Sequence, residues 1–351
     1  MNMNTLANSC QELKSGFTPK HKDPTRPVRW WSEQDRYHDT LIDAFVIILR
    51  TKGCSWARQS GCSMCGYFND SLWTHVAAED LIKQYAVAMR SYKGEPVVKL
   101  FTSGSFLDAS EIPITVQRHI INDLSDKAQK VSFESRPAYV TSKRLDALSK
   151  YTSTIDVEIG IGLETANDTV RMHAINKGFS FDDYLKAVHL IKEHGMLLKT
   201  YVLIKPIFLT EQASIQDAIG TVTAINTITD TISFNPCNVQ RNTMTEYLWK
   251  RHAYRPPWLW SVLNVLEKSS HHSQDIRLQC DVAGGGSKRG AHNCGKCDAQ
   301  VLAAIREFSL TQDTTLLLSL DCPCKEQWLD QLDLEQVTFG SIVDFSEGGL
   351  F

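Results

Sequence analysis

From residue 43 to 235, short apolar runs alternate with longer segments in which apolar residues recur every three or four positions. The runs Ala44–Leu49, Val97–Thr102, Val131–Glu134, Asp156–Gly162, Leu197–Ile204 and Thr231–Phe234 read as strands. The intervening stretches Ala77–Tyr92, Ile114–Lys130, Ser142–Tyr151, Phe181–His194 and Ser214–Asn226 carry the helical period, as do Trp258–Leu266 and Asp298–Phe308 further on. Strands alternating with helices imply a parallel sheet with right-handed crossovers. The expected fold is therefore α/β, a TIM-like partial (β/α)6 barrel with its chemistry at the C-terminal ends of the strands.

At 351 residues with 42% apolar content, the chain exceeds one average domain and can build a real core. The pattern divides it into a basic and aromatic extension over 1–40, the barrel over 41–240, and a small C-terminal metal-binding α+β domain over 241–351. Net charge is −3 and the pI is about 6.4, so no global positive field marks a nucleic-acid binder. Locally, Lys14, Lys20, Lys22, Arg26 and Arg29 stand near Trp30 and Trp31, and Lys250, Arg251, His252 and Arg255 near Trp249, Tyr254 and Trp258. Such mixtures could meet phosphates and bases, but for each patch alone a solvated face with its aromatics turned to the core is the favoured reading. Ten cysteines without a secretory leader fit a reducing cytoplasm, where thiols serve metals and catalysis. The most apolar run, Leu41–Leu49, carries Asp43 and is too short to span a bilayer, which argues against a membrane role.

The first strand is followed by TKGCSWARQSGCSMCGY, which sets Cys54, Cys62 and Cys65 in a C-x7-C-x2-C spacing. Three thiolates can hold three corners of a [4Fe-4S] cube and leave one iron open. A structural zinc also uses a C-x2-C pair, and from the loop alone both readings stay open. The other strand ends add to the picture. Ser103, Gly104 and Ser105 follow the second strand, where glycine permits close backbone approach and hydroxyls accept an ammonium group. Glu134 at the end of the third can hold a ribose hydroxyl, and the Arg136 fork matches a carboxylate. The fourth ends in Gly160-Ile161-Gly162-Leu163-Glu164, whose two glycines would let an adenine lie against the backbone. This order of turns favours the cluster. Just past the sixth strand, Asn235, Asn238, Gln240 and Arg241 are candidate substrate contacts or, equally, loop caps. No catalytic acid or base is identifiable.

In the last third, Cys280, His292, Cys294, Cys297, Cys322 and Cys324 form a second set. The His-x-Cys-x2-Cys knuckle at 292–297 has the short spacing of tetrahedral zinc, with Cys280 or Cys322 available to complete it. A structural Zn2+ is the expected occupant, with a second iron–sulfur cluster or plain buried thiols as rivals.

The cysteine loop with Met64 before its last cysteine, the Ser-Gly-Ser turn, Glu134-Ser-Arg136-Pro137 and Gly160-Ile-Gly-Leu-Glu164 resemble the radical S-adenosylmethionine (SAM) superfamily, closest to the branch containing the elongator catalytic subunit. Its long first cysteine gap is shared with that branch, while the serine-rich turn departs from the usual Gly-Gly-Glu. The resemblance implies a [4Fe-4S] cluster on Cys54, Cys62 and Cys65, S-adenosyl-L-methionine held by the turns above, and an external electron donor. More narrowly, GCSWARQSGCSMCGYFND, FTSGSFLD, NPCNVQRNTMTEYLWKRHAYRPPWLWS and GAHNCGKCD resemble the radical subunits of archaeosine synthases. That resemblance implies an archaeal tRNA-modifying lyase. Its substrate would be tRNA whose position-15 base, derived from 7-cyano-7-deazaguanine, carries lysine joined through its side-chain nitrogen. Breaking the lysine carbon–nitrogen bond would leave the nitrogen on the base as archaeosine, beside a separate lysine-transferring synthase subunit. The alternatives are another radical tRNA-modifying activity, such as methylthiolation or carboxymethylation-type chemistry, and a non-catalytic zinc protein that binds nucleic acid. Methylthiolation fits poorly because only Cys10 precedes the motif. The stretch after the last barrel strand is also short for an acetyl-coenzyme A domain.

Overall fold

A computed structural model describes residues 5–15, 17–18, 21–273 and 276–335. Lys20 and the end of the expected C-terminal domain, 336–351, lie outside them. Eight strands form one open half-barrel sheet in the order β1 to β8: Arg29–Tyr37, Thr40–Ile48, Val97–Phe101, Lys130–Glu134, Asp156–Glu164, Leu197–Ile204, Thr231–Pro236 and Arg277–Cys280. From β2 onward every neighbouring pair is parallel. The six strands expected from the sequence are β2 to β7, and the expected helices fill their crossovers, among them Ala78–Met89, Ile114–Ser125, Phe181–Glu193 and Glu211–Ile225. β1 lies before residue 41 and β8 after residue 240, so the sheet runs on into both flanking stretches. β1 pairs antiparallel with β2 through a two-residue turn at His38 and Asp39, both with positive φ, as a tight primed hairpin turn requires. No described helix is long and apolar enough to cross a membrane.

Side-chain alternation divides the sheet into two unlike faces. Val98, Leu100, Val131, Phe133, Val157, Ile159, Leu198, Val202, Ile232 and Phe234 point to the helices and form one continuous core with them. The residues between them line the concave side, and many are charged. Lys99 bridges Glu33 (2.7 Å) and Asp35 (2.8 Å), while Glu158 lies between Lys130 (2.6 Å) and Lys199 (2.9 Å) and accepts from Ser132 Oγ (2.8 Å). Arg277 of β8 pairs with Asp35 of β1 and donates to the Arg36 carbonyl at 2.7 Å. The two edge strands are thus tied across the lumen.

Burial alone would raise the Glu158 carboxyl, but Lys199 and Lys130 outweigh it and hold it well below the usual carboxylate range. Removing that anion strands two buried ammonium groups. The Glu158→Ala variant is expected to lose about 3–5 kcal/mol in urea unfolding, as for other broken buried pairs. Replacing Lys130, Glu158 and Lys199 together by Met should recover most of it. A single variant as stable as the parent would contradict this account of the lumen.

Candidate active site

The cysteine loop leaves the end of β2, and three other parts of the chain hold it in place. Cys54 caps the short helix Ser55–Gln59, and the Trp56 indole donates to the Asn176 carbonyl at 2.8 Å. Asn176 Nδ2 donates to Ser60 Oγ and the Gly61 carbonyl, both at 2.7 Å, and Ser63 N donates to the Ile175 carbonyl at 2.8 Å. From the other side Thr245 N donates to the Ser63 carbonyl (3.1 Å), and Gly66 N donates to Gln240 Oε1. The N-terminal helix Thr5–Ser15 lies over the loop: Lys14 Nζ donates to the Ser60 carbonyl at 2.7 Å, and the Ser60 hydroxyl donates to the Ala7 carbonyl. A second apolar cluster, separate from the main core, packs Cys10, Cys62, Ile175, Cys237, Met244 and Tyr254 around Trp56, Met64 and Cys65.

Burial and the nearby Cys62 push the Cys65 thiol up to about 12, and burial raises Cys54 as well. A thiolate here therefore needs a cationic partner to hold it ionised, which a metal centre supplies. Among the described residues, a different set, Cys294, Cys297, Cys322 and Cys324, is the group whose ligand atoms all fall within 4.8 Å of one another.

The Ser103–Ser105 turn lies directly against the loop, joined by a residue that the sequence pattern does not mark. The Glu111 carboxylate accepts from Thr51 Oγ1 (2.6 Å) on the loop side and from Ser105 N (2.8 Å) on the turn. Burial outweighs these hydrogen bonds and raises it to about 7. The only signal for Glu111 in the sequence is an acid between Ser110 and Ile112, in no recognisable motif. A Cβ on Gly104 would stand 2.7 Å from the Cys54 backbone Cα, so no larger residue fits there. Ser105 is buried and its hydroxyl accepts from Arg136 N at 3.1 Å, so it is committed to the fold, while the neighbouring Ser103 is partly exposed.

Glu134 and Glu164 end β4 and β5, and Tyr201 lies within β6 opposite Gly162. Burial raises the Glu134 carboxyl, outweighing the neighbouring Tyr201 hydroxyl and the Lys177 and Lys199 cations. Glu164, at positive φ beside a bulge in β5, is buried and pairs with Lys177. The Arg136 guanidinium lies between the Trp56 and Phe179 rings, 5.4 Å from each centroid. The two glycines are not bare: a Cβ on Gly160 would meet Tyr201 Cε2 at 3.0 Å, and one on Gly162 would meet Lys177 Nζ at 2.6 Å. Space over that strand is thus controlled by Tyr201 and by the Glu164–Lys177 pair.

Of the four candidate substrate residues, three have identifiable partners. Gln240 supports Gly66, Asn238 Nδ2 donates to the Ala283 carbonyl at 3.3 Å, and the Arg241 carbonyl accepts from Asn69 Nδ2 at 2.9 Å. These contacts serve loop capping; the Arg241 side chain is exposed, and Asn235 lies partly buried in β7. Cys280 faces the helix side of β8 within the main core, and His292 Nδ1 bonds to the Gly290 carbonyl at 2.8 Å. Neither joins the group formed by the other four C-terminal cysteines.

The Radical SAM superfamily pattern matches residues 48–212, from the end of β2 through β6. The archaeosine synthase subunit beta of Methanosarcina acetivorans is 36% identical over 341 residues, which is 96% of this chain and 99% of that protein. The archaeosine synthase subunit beta of Thermococcus kodakarensis is 36% identical over 308 residues, 86% of this chain and 95% of that protein. Among solved structures, methylornithine synthase aligns over 77% of this chain and 69% of its own at a TM-score of 0.47 and 13% identity. The archaeal Methanocaldococcus infernus Elp3 aligns over 60% of this chain and 54% of its own at a TM-score of 0.46 and 16% identity.

Two variants test the supports of this site. Gly104→Ala, which forces the Cys54 backbone aside, is expected to lower the iron bound on anaerobic reconstitution several-fold while circular dichroism stays unchanged; undiminished iron would show the contact to be slack. Behind β5, Asp217 holds Thr165 Oγ1 at 2.7 Å with its second oxygen unpartnered, and burial raises it from 3.8 to about 7 against the pull of Arg171. The fold thus favours the neutral acid, whose contribution is complete below pH 3.8 and is lost as pH rises to about 7. Asp217→Asn should remove that part of the fall in melting temperature across the same window; an unchanged slope would contradict it.

Proposed function

Because the chain belongs to the archaeosine synthase subunit beta family within the radical SAM superfamily, we propose that it modifies tRNA by cleaving the carbon–nitrogen bond of a lysine adduct on the deazaguanine-derived base at position 15. The observation that carries this reading is the cysteine loop itself, three thiols fixed at the C-terminal edge of the sheet within a family that implies a [4Fe-4S] cluster and SAM. In this reading Cys54, Cys62 and Cys65 hold the cluster. Ser103 and the backbone of the Gly104 turn meet the methionine end of SAM, and Glu134 meets its ribose. Arg136, already stacked between Trp56 and Phe179, presents a fixed cation to a carboxylate. The Glu164–Lys177 pair and Tyr201 bound the adenine side.

When bound, a reduced cluster with SAM would supply hydrogen-atom abstraction from a carbon of the lysine side chain, the radical chemistry that carbon–nitrogen scission requires. The protein's own work is positional: it keeps that carbon near the radical source and excludes water. Asn235 and the Arg241 side chain are the groups on the β7 side available to a lysine head group. The names of the relatives support a partner subunit, which on this reading transfers the lysine, and reduction comes from an external donor.

Protein reconstituted anaerobically, reduced and given SAM and lysine-adduct tRNA is expected to yield archaeosine in nucleoside mass spectra. Lysine deuterated along its whole side chain should pass label to 5′-deoxyadenosine. Intact adduct with unlabelled 5′-deoxyadenosine would retain the superfamily and reject the substrate. A colourless protein that leaves SAM uncleaved would reject radical chemistry altogether.

A further inference from the structure

The four remaining C-terminal cysteines form a group separate from the radical site. Cys294 Sγ lies 3.9 Å from Cys297 Sγ and 3.8 Å from Cys322 Sγ, and Cys297 Sγ lies 3.7 Å from Cys324 Sγ. Four sulfurs placed tetrahedrally around one ion at the roughly 2.3 Å of a zinc–thiolate bond stand about 3.8 Å apart. In a [4Fe-4S] cube each thiolate binds a different iron, so its sulfurs must spread wider than these do. The spacing is that of ligands to a single ion.

The surroundings are built for thiolates. Trp260 Nε1 is directed at Cys324 Sγ at 3.3 Å, and Asn293 Nδ2 at Cys297 Sγ at 3.3 Å. Asp298, almost fully buried, accepts from Asn293 N (3.2 Å) and Gly295 N (3.0 Å) and so fixes the turn that carries Cys294 and Cys297. Two helices begin at the group: Cys297 caps Asp298–Thr311, and Cys324 opens Cys324–Glu335, which puts the positive ends of both beside the sulfurs. We propose that Cys294, Cys297, Cys322 and Cys324 hold one structural Zn2+ as four thiolates, with Cys280 and His292 outside the ligand set. Binding releases four thiol protons and leaves a net charge of −2, which the indole and amide N–H donors and the helix ends offset. Soft sulfur ligands with no oxygen donor among them exclude calcium and magnesium.

The ion would act as a clasp. Helix Asp298–Thr311 reaches both edges of the sheet: Ser309 Oγ accepts from Cys280 N of β8 at 3.0 Å, and the Leu310 carbonyl accepts from Arg36 of β1 at 3.1 Å. Helix Cys324–Glu335 packs against helix Glu211–Ile225, where Glu335 accepts from Gln212 N at 2.9 Å, and Gln331 Oε1 accepts from the Trp258 indole at 2.8 Å. One tetrahedral centre would hold these two C-terminal helices together.

The test uses the full chain with Cys54, Cys62 and Cys65 all replaced by Ser, which removes the other candidate metal site without touching this one. Elemental analysis is expected to find one zinc per chain and no iron, and titration with a mercurial should release that zinc as four thiols react. Cobalt(II) exchanged into the same protein should give the intense visible bands of a tetrahedral tetrathiolate site, a readout that does not depend on whether ligand variants fold. Cys322→Ser and Cys324→Ser should lose the zinc, whereas Cys280→Ser and His292→Ala should keep it. Iron with sulfide, a single iron, no bound metal, a cobalt spectrum showing nitrogen ligation, or zinc retained in Cys324→Ser would each overturn the assignment. Because iron at Cys54, Cys62 and Cys65 is excluded by design, failure here leaves the radical reading untouched.

Discussion

The fold depends on neutralising a charged lumen. A half-barrel sheet exposes one face to helices and the other to its own hollow, and in this chain the hollow is lined by Lys99, Lys130, Lys199 and Arg277 against Glu33, Asp35 and Glu158. Most of those groups are buried, and unpaired charges in that position would cost several kcal/mol each. The pairing dictates geometry as well as stability. Asp35 can satisfy Lys99 and Arg277 together only if β1 and β8, at opposite edges of the sheet, curl toward one another. The electrostatic network thus acts as the missing closure of an open barrel.

The same alternation that builds the network sets up the site. Along β4 the inward positions run Lys130, Ser132, Glu134, and along β5 they run Glu158, Gly160, Gly162, Glu164. The lower members pair with one another inside the buried lumen. Toward the C-terminal edge Glu164 pairs with Lys177, and Glu134, Glu164, Lys177 and Tyr201 share the space with the cysteine loop. That loop has its own small apolar cluster and is held mainly by hydrogen bonds among 60–66, 174–176 and 240–245. The hydrogen bonds that fix its position use none of the three sulfurs.

The sequence made β2 to β7 legible because each has an apolar run and a helical period after it. β1 was hidden because Arg29–Tyr37 mixes charged and aromatic residues without an apolar face: Glu33 and Asp35 serve the lumen, while Trp30 packs at the margin of the core. β8, Arg277–Cys280, has only Leu278 and Cys280 as apolar positions and so makes no apolar run for a pattern to mark. The loop cysteines and the turns were legible through spacing; Glu111 was not, because an isolated acid gains meaning only when folding brings Thr51 and Ser105 to it. At the C-terminus the Cys294–Cys297 knuckle could be read from spacing, but which distant thiols join it could not. Cys280 is a strand residue whose alternation turns it into the core, and that parity depends on β8 being a strand at all.

The two ends of the chain converge on one structural problem, the edge between β1 and β8. Arg277 closes it from inside with a charge pair, and helix Asp298–Thr311 covers it from outside with hydrogen bonds to both strands. The four-thiol group lies where that covering helix begins, so whatever fixes those sulfurs also fixes the helix over the seam. A lumen held by ion pairs tolerates little water, because each pair weakens steeply as the local dielectric rises. Sealing the β1–β8 edge therefore protects the charge network, and the network in turn holds β4, β5 and β6 in the register that presents Glu134, Glu164 and Tyr201 beside the cysteine loop. The C-terminal cysteines, though remote from the candidate active site in sequence, thus stand at the start of the helix that covers that seam.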